Sequence, residues 1–361
     1  MTGSTRCRRP DPGRGGVGRR LLLLLLCLGV LGGAHAAEAP APAAVATAAP
    51  PPKTAPTTAP TVSFDGLAEA FGWDFDGTLI KAEKVADGLY VLFGVGGNIG
   101  VSVGEQGTLL VDDQFPQMMP KIEAALSNLG GDGSVDFVVN THWHFDHADG
   151  NLALGPNGTW LVATEASRER MLTSNLVNLV NLKYEQPPYP EDARPTITFG
   201  DGLNFYFNGE ELKLWHFGPA HTTGDAVVYF TSANAIHMGD VFNARYPFID
   251  VDNGGDIDGM ISFCEAVLLR INPDTTVIPG HGPIQDYQAL IDYITMLRTV
   301  RNRIAGMVDQ GVSLAKVIAS KPTSEFDERY GDPARLINRA YHSLDRLKTR
   351  ALRPLKAENK E

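Results

Sequence analysis

The run Thr141-His142-Trp143-His144-Phe145-Asp146-His147 packs three histidines and a carboxylate into six positions. A further histidine follows 74 residues later in Gly218-Pro219-Ala220-His221-Thr222-Thr223-Gly224-Asp225. Gly239-Asp240 comes 19 residues on, and Pro279-Gly280-His281-Gly282 another 41 beyond that. Imidazole and carboxylate suit Zn²⁺, and no cysteine lies in any of the four segments. Five of the nine histidines fall in this pattern, while His35, His216, His237 and His342 have no partner motif. If the pattern is a metal site, the fold must bring four distant loops to one point.

A chain of 361 residues, 43% of them apolar, is large enough for one sizeable α/β domain with additions. Residues 1–36 read as a signal peptide. Arg19-Arg20 is the basic region, the stretch from Leu21 to Gly33 is apolar, and Ala34-His35-Ala36 is an A-x-A cleavage site. That apolar stretch is too short to span a bilayer, and no later run is long enough, so no stable membrane anchor is expected. The signal and the Ala/Pro-rich segment behind it point to a bacterial, periplasmic protein. Removal of residues 1–36 takes away six arginines and Asp11, and the formal charge falls from −11 to −16. So acidic a surface repels the phosphate backbone, which argues against a nucleic-acid partner and for a small-molecule one. Cys7 and Cys27 lie in the signal, which leaves Cys264 as a lone thiol on an amphipathic helical pattern, where a small buried hydrophobe is expected.

Residues 37–62 are almost wholly Ala, Pro and Thr and read as a flexible linker, so the ordered domain is expected to start near Ser63. From there strand and helix signals alternate. Strands are expected at Gly88–Phe93, Ile99–Val103, Thr108–Asp112, Val135–Val139 and Trp160–Ala163, with a helix at Lys121–Leu129. The second half repeats this, with strands at Leu203–Phe207, Leu212–Phe217, Ala226–Phe230, Ala235–His237 and Thr276–Ile278, and a helix at Ile257–Leu269. Each ligand segment lies just after a strand, where a sheet can hold a loop rigidly. Tyr287, Leu290, Ile291, Ile294 and Leu297 mark one long helix, and Leu336, Ile337, Ala340, Tyr341, Leu344 and Leu347 another. Residues 63–310 are therefore read as the catalytic domain and 311–361 as a C-terminal helical extension.

Residues 142, 144 and 146 alternate, so they can point one way while His147 points elsewhere, and one segment can serve two ions. The expected assignment gives His142, His144 and His221 to one ion, and Asp146, His147 and His281 to the other. Asp240 bridges them. The set His142-x-His144-x-Asp146-His147, then His221, Asp240 and His281, resembles the metallo-β-lactamase superfamily over roughly residues 85–310. The resemblance implies an αβ/βα four-layer sandwich with two sheets face to face, helices outside and the metals at one sheet edge. It also implies two Zn²⁺ per chain and a zinc-bound hydroxide that attacks a carbonyl, with Asp146 orienting the hydroxide and passing on a proton. Asp112, at a strand end, resembles the family's buried aspartate that backs a metal-bound histidine, although Asp113 stands next to it.

Three comparisons bear on the substrate. The β-lactamase subclass with a cysteine ligand needs Cys where Asp240 stands, and the subclass with the second-site histidine usually places serine there. Asp240 with His147 resembles instead the wider superfamily of thioesterases such as glyoxalase II, lactonases and phosphodiesterases. Export favours a cyclic amide or ester, a β-lactam or lactone, as the first expectation. A glyoxalase II-like thioester hydrolase is the alternative; beyond Arg346, Lys348, Arg350 and Arg353, no basic cluster near the C-terminus suits glutathione. Flavodiiron proteins of this fold carry Glu at the position of His144, so histidine there favours zinc. A single-iron, persulfide-dioxygenase-like oxidoreductase stays open as a third reading. Arg245 and Tyr246, five and six residues past Asp240, are candidate substrate contacts. Gly94–Asn98 reads as a tight turn or a mobile hairpin over the site, and Lys183–Tyr189 as a Pro-rich loop at its rim.

Overall fold

The computed structural model describes residues 59–352. The expected signal peptide, most of the expected linker and residues 353–361 lie outside that range. Thr61–Val62 (β1), the last two positions of the expected linker, already form a strand, paired in parallel with Lys183–Tyr184. Ser63 then starts the helix Phe64–Phe71 (α1): its hydroxyl accepts the amide of Gly66 at 3.2 Å, and Gly72 ends the helix with φ 68°.

The first half supplies Lys81–Ala86 (β2), Leu89–Phe93 (β3), Ile99–Gly104 (β4), Gly107–Val111 (β5), Phe137–Val139 (β6) and Trp160–Thr164 (β7). Its helices are Met119–Asn128 (α2), the short turns Phe145–Ala148 (α3) and Asn151–Leu154 (α4), and Glu165–Met171 (α5). Asn175–Asn178 (β8) and Lys183–Gln186 (β9) join β1 in a small sheet. Ile197–Phe199 (β10) completes a seven-stranded sheet of order β10-β7-β6-β5-β4-β3-β2. The second half builds a six-stranded sheet in chain order from Gly202–Phe207 (β11), Glu210–Trp215 (β12), Val227–Phe230 (β13), Ala235–His237 (β14), Thr276–Ile278 (β15) and Gln285–Asp286 (β16). Ile257–Leu268 (α6) precedes β15, and Tyr287–Asp309 (α7), Leu314–Ala319 (α8), Asp327–Tyr330 (α9) and Ala334–Leu352 (α10) close the chain.

Side chains alternate across a strand, and here both faces are apolar because both are covered. On β5, Leu109 and Val111 enter a core shared with Leu212, Leu214, Val228 and Phe230 of the other sheet, while Leu110 faces Ile122 and Leu126 of α2. On the six-stranded sheet, Val228 and Ala235 face the opposite sheet, and Val227 and Ile236 face Met260, Leu290 and Leu297 of α6 and α7. The order is therefore helix, sheet, sheet, helix, the expected αβ/βα sandwich. The C-terminal helices form no separate core, since Val317, Leu336, Ile337, Ala340 and Leu344 join the cluster that holds Ile236 and Val277.

Every strand and helix expected above is present, with ends shifted by one or two residues. The polar edge strand β2, the small sheet and the two-residue strand β16 carry no alternation that periodicity could detect. Among the described residues, no helix is long and apolar enough to cross a membrane.

Candidate metal centre

The ligand segments meet at one rim of the sandwich. Residues 140–147 follow β6, His221 sits in the connection from β12 to β13, Asp240 follows β14 and His281 follows β15. The first half of the chain thus supplies His142, His144, Asp146 and His147, and the second half supplies the rest.

Nitrogen and oxygen atoms of His142, His144 and His221 lie within 4.8 Å of one another, as do those of Asp146, His147 and His281, and those of His142, His147 and Asp240. These are the two trios expected from sequence, and Asp240 stands between them. Its Oδ1 lies 3.2 Å from His147 Nε2 and 3.5 Å from His281 Nε2, while its Oδ2 lies 3.7 Å from His221 Nε2. Asp146 Oδ2 is 3.2 Å from His281 Nε2.

Four imidazoles have their outer nitrogen fixed by an acceptor, which sets the tautomer and turns the other nitrogen's lone pair inward. His147 Nδ1–H donates to Asp112 Oδ2 at 2.7 Å, and His144 Nε2–H to Asp250 Oδ2 at 3.0 Å. His221 Nδ1–H donates to the Phe248 carbonyl at 2.7 Å. The Thr141 hydroxyl donates to Asp112 Oδ2 at 2.8 Å, so it is free to accept from His142 Nδ1 at 3.0 Å. Inward nitrogens then face each other, His221 Nε2 to His144 Nδ1 at 2.8 Å and His147 Nε2 to His281 Nε2 at 3.1 Å. His142 Nε2 and Asp240 Oδ1 are buried without a hydrogen-bond partner. Converging lone pairs and a partnerless carboxylate oxygen fit a metal cation. The donor set, all imidazole and carboxylate, fits zinc.

The local field favours positive charge as well. Burial opposes protonation of His147, but Asp240, Asp146 and Asp112 outweigh it and hold the imidazole's pKa well above its ordinary value. Burial, then the neighbouring imidazoles, pushes His142 well below. Burial also lowers His221. Burial would raise Asp146 and Asp240, yet His147 and His281 hold both carboxyls below the usual range.

Asp112, rather than Asp113, is the buttress. It directly follows β5 with φ 63° and also accepts the Thr141 amide at 2.7 Å. Burial, with Asp112 and Asp149 as neighbouring charges, pushes the Asp113 carboxyl well above the usual range. Gly94–Asn98 is a tight turn pinned to the centre. Gly97 N donates to the Asp146 carbonyl at 2.8 Å, and Asn98 Nδ2 to the carbonyls of Pro279 and Gly282, each at 2.8 Å. A Cβ on Gly97 would overlap the His147 ring. Lys183–Tyr189 is a strand and brace instead of a loose rim: Gln186 Nε2 donates to the Trp143 carbonyl at 2.8 Å, and the Tyr189 hydroxyl donates to Asp149 at 2.5 Å.

Tyr246 departs from its expected role as a substrate contact. It is buried, and its hydroxyl is engaged with Asp327 at 2.9 Å and the Thr323 carbonyl at 3.2 Å, so it ties the C-terminal helices to the domain. Arg245 beside it is exposed. Arg346 and Lys348 are likewise spent inside the fold, on the carbonyls of Val251 and Gly255 and of Val308 and Asp309. Sequence reasoning missed Asp250, Phe248 and Asn98. Asp250 sits in an acidic run, Asp250-Val251-Asp252-Asn253, that offered a weak signal, while a carbonyl partner such as that of Phe248 offers none.

A family model described as the metallo-beta-lactamase superfamily matches residues 92–288. Hydroxyacylglutathione hydrolase of Brucella anthropi is 29% identical over 147 residues, 41% of this chain and 48% of that protein. Coenzyme F420H(2) oxidase of Methanothermobacter thermautotrophicus is 31% identical over 87 residues, 19% of this chain and 22% of that protein. The chain thus spans about half the length of the first relative and about a fifth of the second. Among solved structures, a metallo-beta-lactamase from Pontibacter korlensis aligns with TM-score 0.49 and 19% identity, over 61% of this chain and 99% of that one. With the family model covering more than half of its length, the chain belongs to the metallo-beta-lactamase superfamily.

Proposed function

We propose that the protein is an exported, periplasmic metal-dependent hydrolase that holds two Zn²⁺ and opens the carbonyl bond of a small molecule, with a cyclic amide or ester, a β-lactam or lactone, as the first reading. Membership of the superfamily and the similarity to a hydroxyacylglutathione hydrolase support a metal-dependent hydrolase. The observation that carries the reading is the pair of trios on either side of Asp240, whose two oxygens address different imidazoles. Bound there, the ions would supply Lewis acidity and an activated water.

The chain's own residues do the rest. His142, His144 and His221 hold one ion, Asp146, His147 and His281 the other, and Asp240 reaches both. Asp112 and Asp250 keep His147 and His144 in the ligating tautomer. The side chains of Asp146 and His281 keep 19% and 15% of their surface exposed, more than the other ligands, so the centre opens on their side. Asp146 is therefore the carboxylate placed to orient a water and carry its proton to the leaving group. Hydrolysis of a thioester is the second reading, favoured by the similarity to the Brucella enzyme.

The test is a screen of the zinc-loaded mature protein against a cephalosporin, an acyl-homoserine lactone and a glutathione thioester. His144→Ala is expected to lose more than the roughly 100-fold that a lost supporting residue costs. Equal rates for variant and wild type on every substrate turned over would overturn the assignment. Metal analysis separates this reading from a single-iron oxygenase: about two zinc per chain against one iron.

A further inference from the structure

We propose that His237 is a positioning residue of the metal centre: it seats the bridging Asp240 against His281 by tying the loop before Asp240 to the turn that ends at Asn98. Which ion that seating affects rests on the two-ion reading above; the seating itself does not.

His237 ends β14, three residues before Asp240, and is fully buried. It is not among the residues whose atoms converge as metal ligands. Its neighbours Ala235, Ile236 and Met238 are apolar and buried. A buried imidazole there costs stability that a leucine would not, unless both nitrogens are bonded. Here the Gly239 amide donates to Nδ1 at 3.3 Å, and Nε2 lies 3.1 Å from the Asn98 carbonyl. An amide can only donate, so Nδ1 is bare, the proton sits on Nε2, and Nε2–H donates to Asn98. The ring is therefore neutral, in keeping with its burial, which lowers its pKa. It lies against β4 of the opposite sheet, where a Cβ on Gly100 would come within 3.3 Å of its Cδ2.

The two partners of this ring hold the two ligands. Asn98 N donates to the Gly280 carbonyl at 2.7 Å, and its side-chain amide bonds the carbonyls of Pro279 and Gly282, so the turn fixes the loop on both sides of His281. Gly280 N donates in turn to the carbonyls of Gly239 at 2.9 Å and Phe242 at 3.0 Å, on both sides of Asp240. The bonds close a circuit from His237 to Gly239, to Gly280, to Asn98 and back to His237. A Cβ on Gly280 would overlap Asp240 Oδ1, and one on Gly239, where φ is 50°, would overlap Thr141. With no slack between these backbones and the carboxylate, a shift of Gly239 or Gly280 carries Asp240 Oδ1 off its place, 3.2 Å from His147 Nε2 and 3.5 Å from His281 Nε2. His142, His144 and His221 are held from outside the circuit, by Thr141, Asp250 and the Phe248 carbonyl.

The experiment titrates zinc into the metal-free full chain, by calorimetry and by competition with a chromogenic chelator, for wild type and three variants. His237→Leu removes both bonds. His237→Asn places an amide where Nδ1 stands and keeps the Gly239 bond, and His237→Gln reaches where Nε2 stands and keeps the Asn98 bond. Wild type should take up two zinc ions. His237→Leu should bind one of them about 10- to 100-fold more weakly, the cost of a lost supporting residue, and the other with unchanged affinity. His237→Asn and His237→Gln should each recover part of the loss, leaving a roughly threefold to tenfold deficit, the scale of one neutral hydrogen bond. A histidine that serves the core alone would lower the melting temperature of the metal-free chain and leave both affinities in place, or weaken both together; either result in the folded variants overturns the proposal. If His237→Leu does not fold, the other two variants decide: a deficit at one zinc alone supports the positioning role, and its absence overturns it. A single zinc in wild type sinks the two-ion reading, and that zinc must then weaken in His237→Leu; unchanged affinity overturns the seating of Asp240 by His237 as well.

Discussion

At the residue scale, what makes this centre is less the ligands than what stands behind them. An imidazole ligates only when its proton sits on the far nitrogen, and Asp112, Asp250, Thr141 and the Phe248 carbonyl each hold one proton there. Asp250 also accepts from Asn253 Nδ2 at 2.8 Å, so it ties His144 to the loop after Asp240. Asp250→Ala should therefore weaken zinc affinity by about 10- to 100-fold, measured by competition with a chromogenic chelator; unchanged affinity would show that His144 orients itself. A second residue-scale expectation concerns Asp149, whose carboxyl burial pushes up to about 7 against the Tyr189 hydrogen bond. A carboxyl raised in the folded state contributes stability that is complete below its unfolded value and lost as pH rises through the folded one. The stability of Asp149→Asn relative to wild type should therefore rise between about pH 4 and about pH 7 in zinc-free protein. A difference in melting temperature that stays flat across that window would count against the raised value.

At the element scale, legibility followed periodicity. β5 could be read because Leu109, Leu110 and Val111 are apolar on both faces, and α7 because its apolar residues recur at helical spacing. β2, with the sequence Lys-Ala-Glu-Lys-Val-Ala, could not be read, because an edge strand is allowed to be polar and its pairing with β3 is a tertiary fact. The seven ligand positions were legible for another reason: histidines are few, nine in 361 residues, and their order with Asp146 and Asp240 across four strand ends leaves little freedom. The seating of the C-terminal helices was not, because nothing in their sequence says which part of the domain they pack against. Part of that seating runs through Tyr246, which sits against Tyr330 with ring centroids 5.5 Å apart. Tyr246→Phe should keep this packing and lose the bonds to Asp327 and Thr323, for a cost of about 1 kcal/mol in urea unfolding. A loss well below that would mean that packing alone seats the C-terminal helices.

At the scale of the whole molecule, the centre is a cross-link. His142, His144, Asp146 and His147 belong to the half with the seven-stranded sheet, and His221, Asp240 and His281 to the half with the six-stranded sheet. Without cations, inward lone pairs such as those of His144 Nδ1 and His221 Nε2, 2.8 Å apart, would repel across that junction, so zinc should stabilise the sandwich as well as arm it. At a free zinc concentration of about 1,000 times Kd the linkage is worth roughly 4 kcal/mol, or on the order of 10 °C in melting temperature for a domain of this size. Removal of zinc by a chelator should lower the transition by that order, and added zinc should restore it. His144→Ala should show a much smaller difference, because the first trio is broken while both sheets remain. If apo and zinc-loaded wild type melted together, the two halves would already be held by the apolar core between their sheets, and the centre would be a passenger on a fold that stands without it.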